Sequence, residues 1–136
     1  MLRDLTAAEV EEVLRETRIG RIGCHAEGRI YVVPIVYLYE DGCAYGRSAD
    51  GLKIRTMRAN PSVCFEVELA HGREWRSVIA WGTYEELSGS EEDDAAARFA
   101  ARFPRLPVED QELTQAERNI FFRLRLGEKT GRFEVL

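Results

Sequence analysis

The chain has 136 residues, 45% hydrophobic and 32% charged, and its 24 acidic side chains outnumber 19 Lys and Arg for a net charge of -5. That length fits one domain over residues 1–136, large enough to bury roughly two thirds of its unfolded surface. The acidic balance argues against a broad nucleic-acid face, which needs cations to displace counterions. No apolar run approaches the ~20 residues a membrane-crossing helix requires, and the charged N-terminus lacks the apolar core of a signal peptide. Cys24, Cys43 and Cys64 are odd in number and widely spaced, which speaks against a disulfide framework and for a reducing cytoplasm.

Taken in chain order, the first element is a helix over about 6–17. Thr6 and Glu9 have the spacing of a capping box, Leu5 and Val10 that of a hydrophobic staple, and Val10, Val13, Leu14 and Thr17 mark one face. "RIGRIGCHA" and "RIYVVPIVYLY" flank Glu27-Gly28 as two strands of a hairpin. Pro34 inside the second run suggests an edge or a bulge. Asp41-Gly42 is a further turn signal before the short strand "CAYGR". After a basic segment, "SVCFEVEL" and "EWRSVIAWGTYEEL" make another antiparallel pair around His71-Gly72. Ser90 and Asp93 are expected to cap a helix with Ala96, Phe99, Ala100 and Phe103 on one face, ended by Pro104. "RFPRLPVEDQELT" reads as irregular, and the terminal "NIFFRLRLGEKTGRFEVL" alternates Phe122, Leu124 and Leu126 with Arg123 and Arg125, as a half-buried strand does. Six or seven strands with helices at the edges predict a small closed or partly closed barrel.

The basic segment stands out in an acidic chain. Arg47, Lys53, Arg55 and Arg58 fall within twelve residues that contain one acid, Asp50. With Asp50 as N-cap, Lys53 lies in the first turn of a short helix ending at Asn60-Pro61. A cation there is unfavourable unless an anion sits at the helix mouth with Ser48 and the free backbone N–H groups. The bland reading is a solvated face, with Ile54 and Met57 packed inward. The segment is not a nucleotide P-loop, because Leu52 intervenes between Gly51 and Lys53 and Ile54 cannot ligate magnesium. His25 and His71 offer no metal-ligand spacing, and nothing near a cysteine suggests an activated thiolate. Trp75 and Trp81 are six residues apart in one strand, so alternation places both on one face with Ser77, and Val78 and Ala80 on the other. Gly82 leaves room for a backbone or a flat ligand to approach.

In this order the blocks "GRIG", "YVVPIVY", "YGRSADGLKIRTMRANPSVCFEVE" and "WRSVIAWGTYEEL" resemble the pyridoxamine 5'-phosphate oxidase-like flavoproteins, in particular the small bacterial FMN-binding split-barrel proteins. The resemblance covers nearly the whole chain. It implies a mainly β fold with flanking helices, a six-stranded split β-barrel, and a homodimer with FMN at each end of its interface. By the same resemblance Val33, Pro34, Ile35 and Val36 lie along the flavin ring. Gly46, Arg47 and Ser48, with Leu52 and Lys53, hold the ribityl chain and phosphate. Arg76, Ser77 and Val78 add a polar contact, and Trp81 stands at or near the interface and the flavin site. Two departures bear on substrate. No histidine follows His71, so the Arg-x-His substrate motif of the true oxidases is missing, and Gly46-Arg47 stands where the nitroimidazole-resistance relatives place a histidine. The expectation is an FMN-dependent oxidoreductase acting on an unidentified small molecule, without pyridoxamine-phosphate oxidase activity and without a metal. The alternatives are a flavin carrier or redox sensor, and a deazaflavin-dependent reductase on the same fold.

Overall fold

The structure is a computed structural model and describes residues 1–104 and 120–136. Eight strands and three helices follow one another as β1 (Leu2–Asp4), α1 (Ala7–Glu16), β2 (Ile19–Ala26), β3 (Arg29–Val36), β4 (Leu38–Glu40), β5 (Cys43–Ser48), α2 (Leu52–Ala59), β6 (Ser62–His71), β7 (Glu74–Glu86), α3 (Gly89–Arg102) and β8 (Ile120–Val135). Most of the expected segment "RFPRLPVEDQELT" lies outside the described residues.

The strands form a single antiparallel sheet in the order β3-β2-β6-β7-β8-β5-β4, with β1 paired to β8. The six-stranded expectation is therefore corrected to eight, and the sheet is not closed by hydrogen bonds. Two three-residue strands make the difference. β1 is exposed along its whole length and exists by pairing with Arg132–Glu134, so its own sequence carries no alternation to read. The other arises because the run "RIYVVPIVYLY" breaks at Tyr37. Only that residue separates β3 from β4, although these strands are the two ends of the sheet path. A two-residue step spans about 7 Å at most, so the sheet must curl until its ends meet at Tyr37, while remaining split elsewhere.

Tyr37 is fixed there by burial and by bonds to the end of α1. Its N–H donates to the Arg18 carbonyl at 3.0 Å. Its hydroxyl donates to the Leu14 carbonyl at 2.7 Å and lies against the Thr17 hydroxyl, and its ring packs edge-on to Phe65. Burial pushes the phenol up to about 12. The interior holds Val13, Leu14, Ile22, Phe65, Val67, Val78, Phe122 and Leu124. A smaller apolar cluster of Leu38, Cys43, Tyr45, Ala95, Phe99 and Phe103 seats α3 on β4 and β5.

α1 has the expected capping box: the Glu9 N–H donates to Thr6 Oγ1 at 3.2 Å, and the Thr6 N–H donates to Glu9 at 2.9 Å. α3 departs from expectation. Its N-cap is Ser88 rather than Ser90, and it starts at Gly89, whose φ of 62° suits a residue without Cβ. That earlier start sets the buried stripe at Ala95, Phe99 and Phe103, an i, i+4 row, and leaves Ala100 exposed.

Candidate functional site

α2 begins where the basic segment was expected to form a helix and ends with Asn60 as C-cap. Ile54 and Met57 are fully buried, which anchors its inner face. The N-cap, however, is Gly51 and not Asp50, and no side chain caps the helix. Asp50 is turned to the far end instead. The Arg58 guanidinium donates to both Asp50 carboxylate oxygens at 3.3 Å and is paired with Glu86 across to β7. Arg58 thus acts as a tie between the loop before α2 and the end of β7, and holds the Glu86 carboxyl below the usual carboxylate range. The first turn contains Lys53 and no acid, so the N–H groups at the mouth of α2 face no carboxylate of their own helix.

The expected residues fall into three groups. Gly46, Arg47 and Ser48 close β5. Gly46 is packed so tightly that a Cβ would stand 2.9 Å from the Phe122 ring, and Ser48 is buried, with its hydroxyl donating to the Ala49 carbonyl at 2.8 Å. Alternation turns Arg47 the other way, its guanidinium 5.4 Å from the centre of the Phe99 ring on α3. Leu52 and Lys53 open α2, a few residues after buried Ser48, whereas the Arg47 side chain is directed to the α3 face. Neither Arg47 nor Lys53 is without a partner in the chain.

Val33, Pro34, Ile35 and Val36 lie on β3, the edge strand of the path. Tyr37 N–H bonds across to Arg18. The alternation of an antiparallel ladder then aims Ile35 and Val33 at β2, and turns the main-chain groups of Val32, Pro34 and Val36 to the open edge. Pro34, opposite Arg21, is placed where it withholds no N–H from the ladder.

The third group divides by face. Val78 is buried in the interior, and Arg76 lies 4.9 Å over the Phe133 ring, beside Glu74. Ser77 and Trp81 take the opposite face, as does Trp75, whose indole N–H donates to Glu68 at 3.3 Å. Pairing registers place Val32, Gly23, Cys64 and Trp81 in one row across the sheet. Ile30, Val32, Ile79 and Trp81 remain 78%, 62%, 38% and 43% exposed on this face, which is flanked by Arg21 paired to Glu66 and Glu68. Sequence reasoning placed Trp81 here but missed Ile30, Val32 and Ile79. Alternation in the hairpin could have found them, because they share parity with Pro34 and Trp81. A cleft between Glu27 and Arg29 of the hairpin and Leu52, Arg55 and Thr56 of α2 was also not foreseen.

Among the described residues there is no cluster of His, Cys, Asp or Glu suited to a metal ion, and no helix long and apolar enough to cross a membrane. The cysteines are free, and burial pushes the thiols of Cys24 and Cys64 up, away from the reactive thiolate.

The chain is 31% identical to an uncharacterized protein of Rhizobium meliloti, over 96% of this chain and 94% of that one. Among solved structures, a FAD-binding protein of Mesorhizobium loti superimposes with a TM-score of 0.85 at 33% identity, covering 98% of this chain and 99% of that one. The FAD-binding protein of Mycobacterium smegmatis shares the fold, with a TM-score of 0.72 at 23% identity and 98% coverage of both chains. The family model described as pyridoxamine 5'-phosphate oxidase matches residues 6–133. Its match spans α1, every strand from β2 to β7, the open edge of β3 and the mouth of α2, and the chain belongs to the pyridoxamine 5'-phosphate oxidase-like family.

Proposed function

We propose that the protein binds a flavin mononucleotide and serves as an oxidoreductase for a small molecule. The observation that carries this reading is the mouth of α2: a helix start without a side-chain cap, with Lys53 in its first turn and with Asp50, just ahead of it, paired to Arg58. A phosphate fits that combination of charge and main-chain donors. The open edge of β3 offers carbonyl and N–H groups from Val32, Pro34 and Val36 to the polar rim of a flat ring system. When bound, a flavin supplies hydride or electron transfer, and the protein supplies position and electrostatics. Lys53 and the α2 N–H groups hold the phosphate, and β3 orients the ring. The 33% identity to a protein described as FAD-binding favours a second reading, in which FAD occupies the same place by its riboflavin-phosphate half.

The outer face with exposed Ile30, Val32, Ile79 and Trp81 supports a homodimer, because an exposed apolar patch bordered by ion pairs has the anatomy of a subunit interface.

Titration of FMN, FAD and riboflavin at fixed salt tests the assignment. Charge-assisted hydrogen bonds contribute about 1.5–3 kcal/mol each, so FMN should exceed riboflavin by about a hundredfold or more if two are made. Lys53→Ala should weaken FMN and leave riboflavin nearly unchanged. Equal affinity for FMN and riboflavin in the wild type would remove the phosphate site. Mass identification of the chromophore released on denaturation separates FMN from FAD, and turnover of a reduced nicotinamide separates an enzyme from a carrier.

A further inference from the structure

Arginines in this acidic chain are mostly matched by carboxylates: Arg3 with Glu9, Arg21 with Glu66, Arg98 with Glu40 and Arg123 with Glu85. Arg18 and Arg102, like Arg15, Arg29 and Arg55, show no such pair among the described residues, but these two come together. Both line a cleft of about 660 Å³ between the start of β2 and the end of α3, a volume within the usual range for small-molecule sites. Its floor is the cross-strand pair Ile19 and Val36. Its far wall is Phe103 and Pro104, closing on Ala101. Among the described residues no carboxylate lines it and neither arginine forms an ion pair. The Arg102 guanidinium stands 5.1 Å from the centre of the Phe103 ring, and its charge is felt at the Tyr37 hydroxyl, next in the chain to Val36.

A cation in the last turn of α3 complements the helix dipole, which accounts for Arg102 alone. It does not account for a second guanidinium lining the same apolar cleft, where two like charges disfavour each other. A carboxylate between them reverses that sign, since guanidinium forks match carboxylate oxygens. The apolar floor and the aromatic wall in turn suit a flat hydrocarbon body. Val36 belongs both to this cleft and to the open edge of β3.

We propose that this cleft binds an organic anion with a flat apolar body, its carboxylate held by Arg18 and Arg102, and that it is the substrate subsite beside the flavin. Only the second half rests on the flavin reading. The test is calorimetric titration of naphthoate and of its uncharged amide, naphthamide, into the full chain, with and without flavin. Naphthoate should bind at least about tenfold more tightly than naphthamide. The preference should shrink in Arg18→Gln and in Arg102→Gln, and vanish in the double variant, with retained naphthamide binding reporting an intact cleft. If the double variant does not fold, the single variant at exposed Arg18 decides. Equal affinities in the wild type, or a preference that survives loss of the arginines, would overturn the site. In the flavin-loaded protein naphthoate should shift the visible flavin band; binding without any shift would overturn the placement beside the ring. Naphthoate preference in a chain that takes up no flavin would leave the anion cleft standing and refute the flavin reading instead.

Discussion

Gly82 offers a direct test of how β7 and β8 are built around the face that carries Trp81. The β7–β8 register shifts between Ala80 and Gly82, and the irregularity brings the β8 main chain against Gly82. A Cβ there would overlap the Arg125 carbonyl oxygen and stand 2.9 Å from its carbon and 3.1 Å from Leu126 Cα. These are backbone atoms, so no rotamer change relieves the overlap, and one strand must move. Overpacking of this kind costs about 1–3 kcal/mol. The entropy of unfolding for 136 residues is about 0.29 kcal/mol per kelvin, which converts the cost to a fall in Tm of about 4–10 °C. Gly23 supplies the control, because it lies in the same cross-sheet row as Trp81 and a Cβ there meets only Cys64, at 3.7 Å. Gly23→Ala should be neutral or stabilising by up to about 1 kcal/mol, since it reduces the freedom of the unfolded chain. Differential scanning calorimetry on both variants is the assay. Gly82→Ala as stable as wild type, or less damaging than Gly23→Ala, would refute the close approach of β8.

Arg58→Gln should weaken FMN more than riboflavin, because it releases the Asp50 carboxylate that Arg58 neutralises near the mouth of α2; adding Asp50→Asn should restore much of the loss, as parallel titrations would report. Trp81→Glu places a charge in the exposed apolar row and should yield a monomer by sedimentation; a variant that sediments as a dimer would remove this face from the interface. Acid should expose the contribution of Glu9, whose carboxyl is held at about 2 by hydrogen bonds from Arg3 and from the Thr6 N–H. Because the folded value lies below the unfolded one of about 4.5, the unfolded chain binds more protons in that window, and the stabilisation is complete above it and lost as pH falls toward about 2. The Tm difference between wild type and Glu9→Gln should therefore narrow across that window; a gap of constant size would contradict the assignment.

Much of the architecture could be read along the chain because it rests on near neighbours. The capping box of α1, the β2–β3 hairpin, the stop at Asn60-Pro61 and the alternation of Phe122, Leu124 and Leu126 each depend on residues a few positions apart. The order of blocks carried the family. The cluster of cations with Lys53 was equally visible, and the parity of Trp75, Ser77 and Trp81 correctly gave the face they share. What the sequence could not hold was any decision made between distant segments. Asp50 has every local qualification for an N-cap, yet Arg58, which also pairs with Glu86 on β7, draws its carboxylate away and leaves Gly51 as the cap. Arg47 and Ser48 are adjacent in a strand, so pleating directs one toward Phe99 and buries the other. β1 is a strand only because β8 is there to pair with it. The break between β3 and β4 was settled at Tyr37, where burial against Phe65 and α1 interrupts an apparently continuous run. Arg18 and Arg102, more than eighty residues apart, meet one cleft only because the sheet curls and α3 packs across β4 and β5. Local propensity acts over one turn or one pleat, whereas convergence of charge is a property of the folded surface.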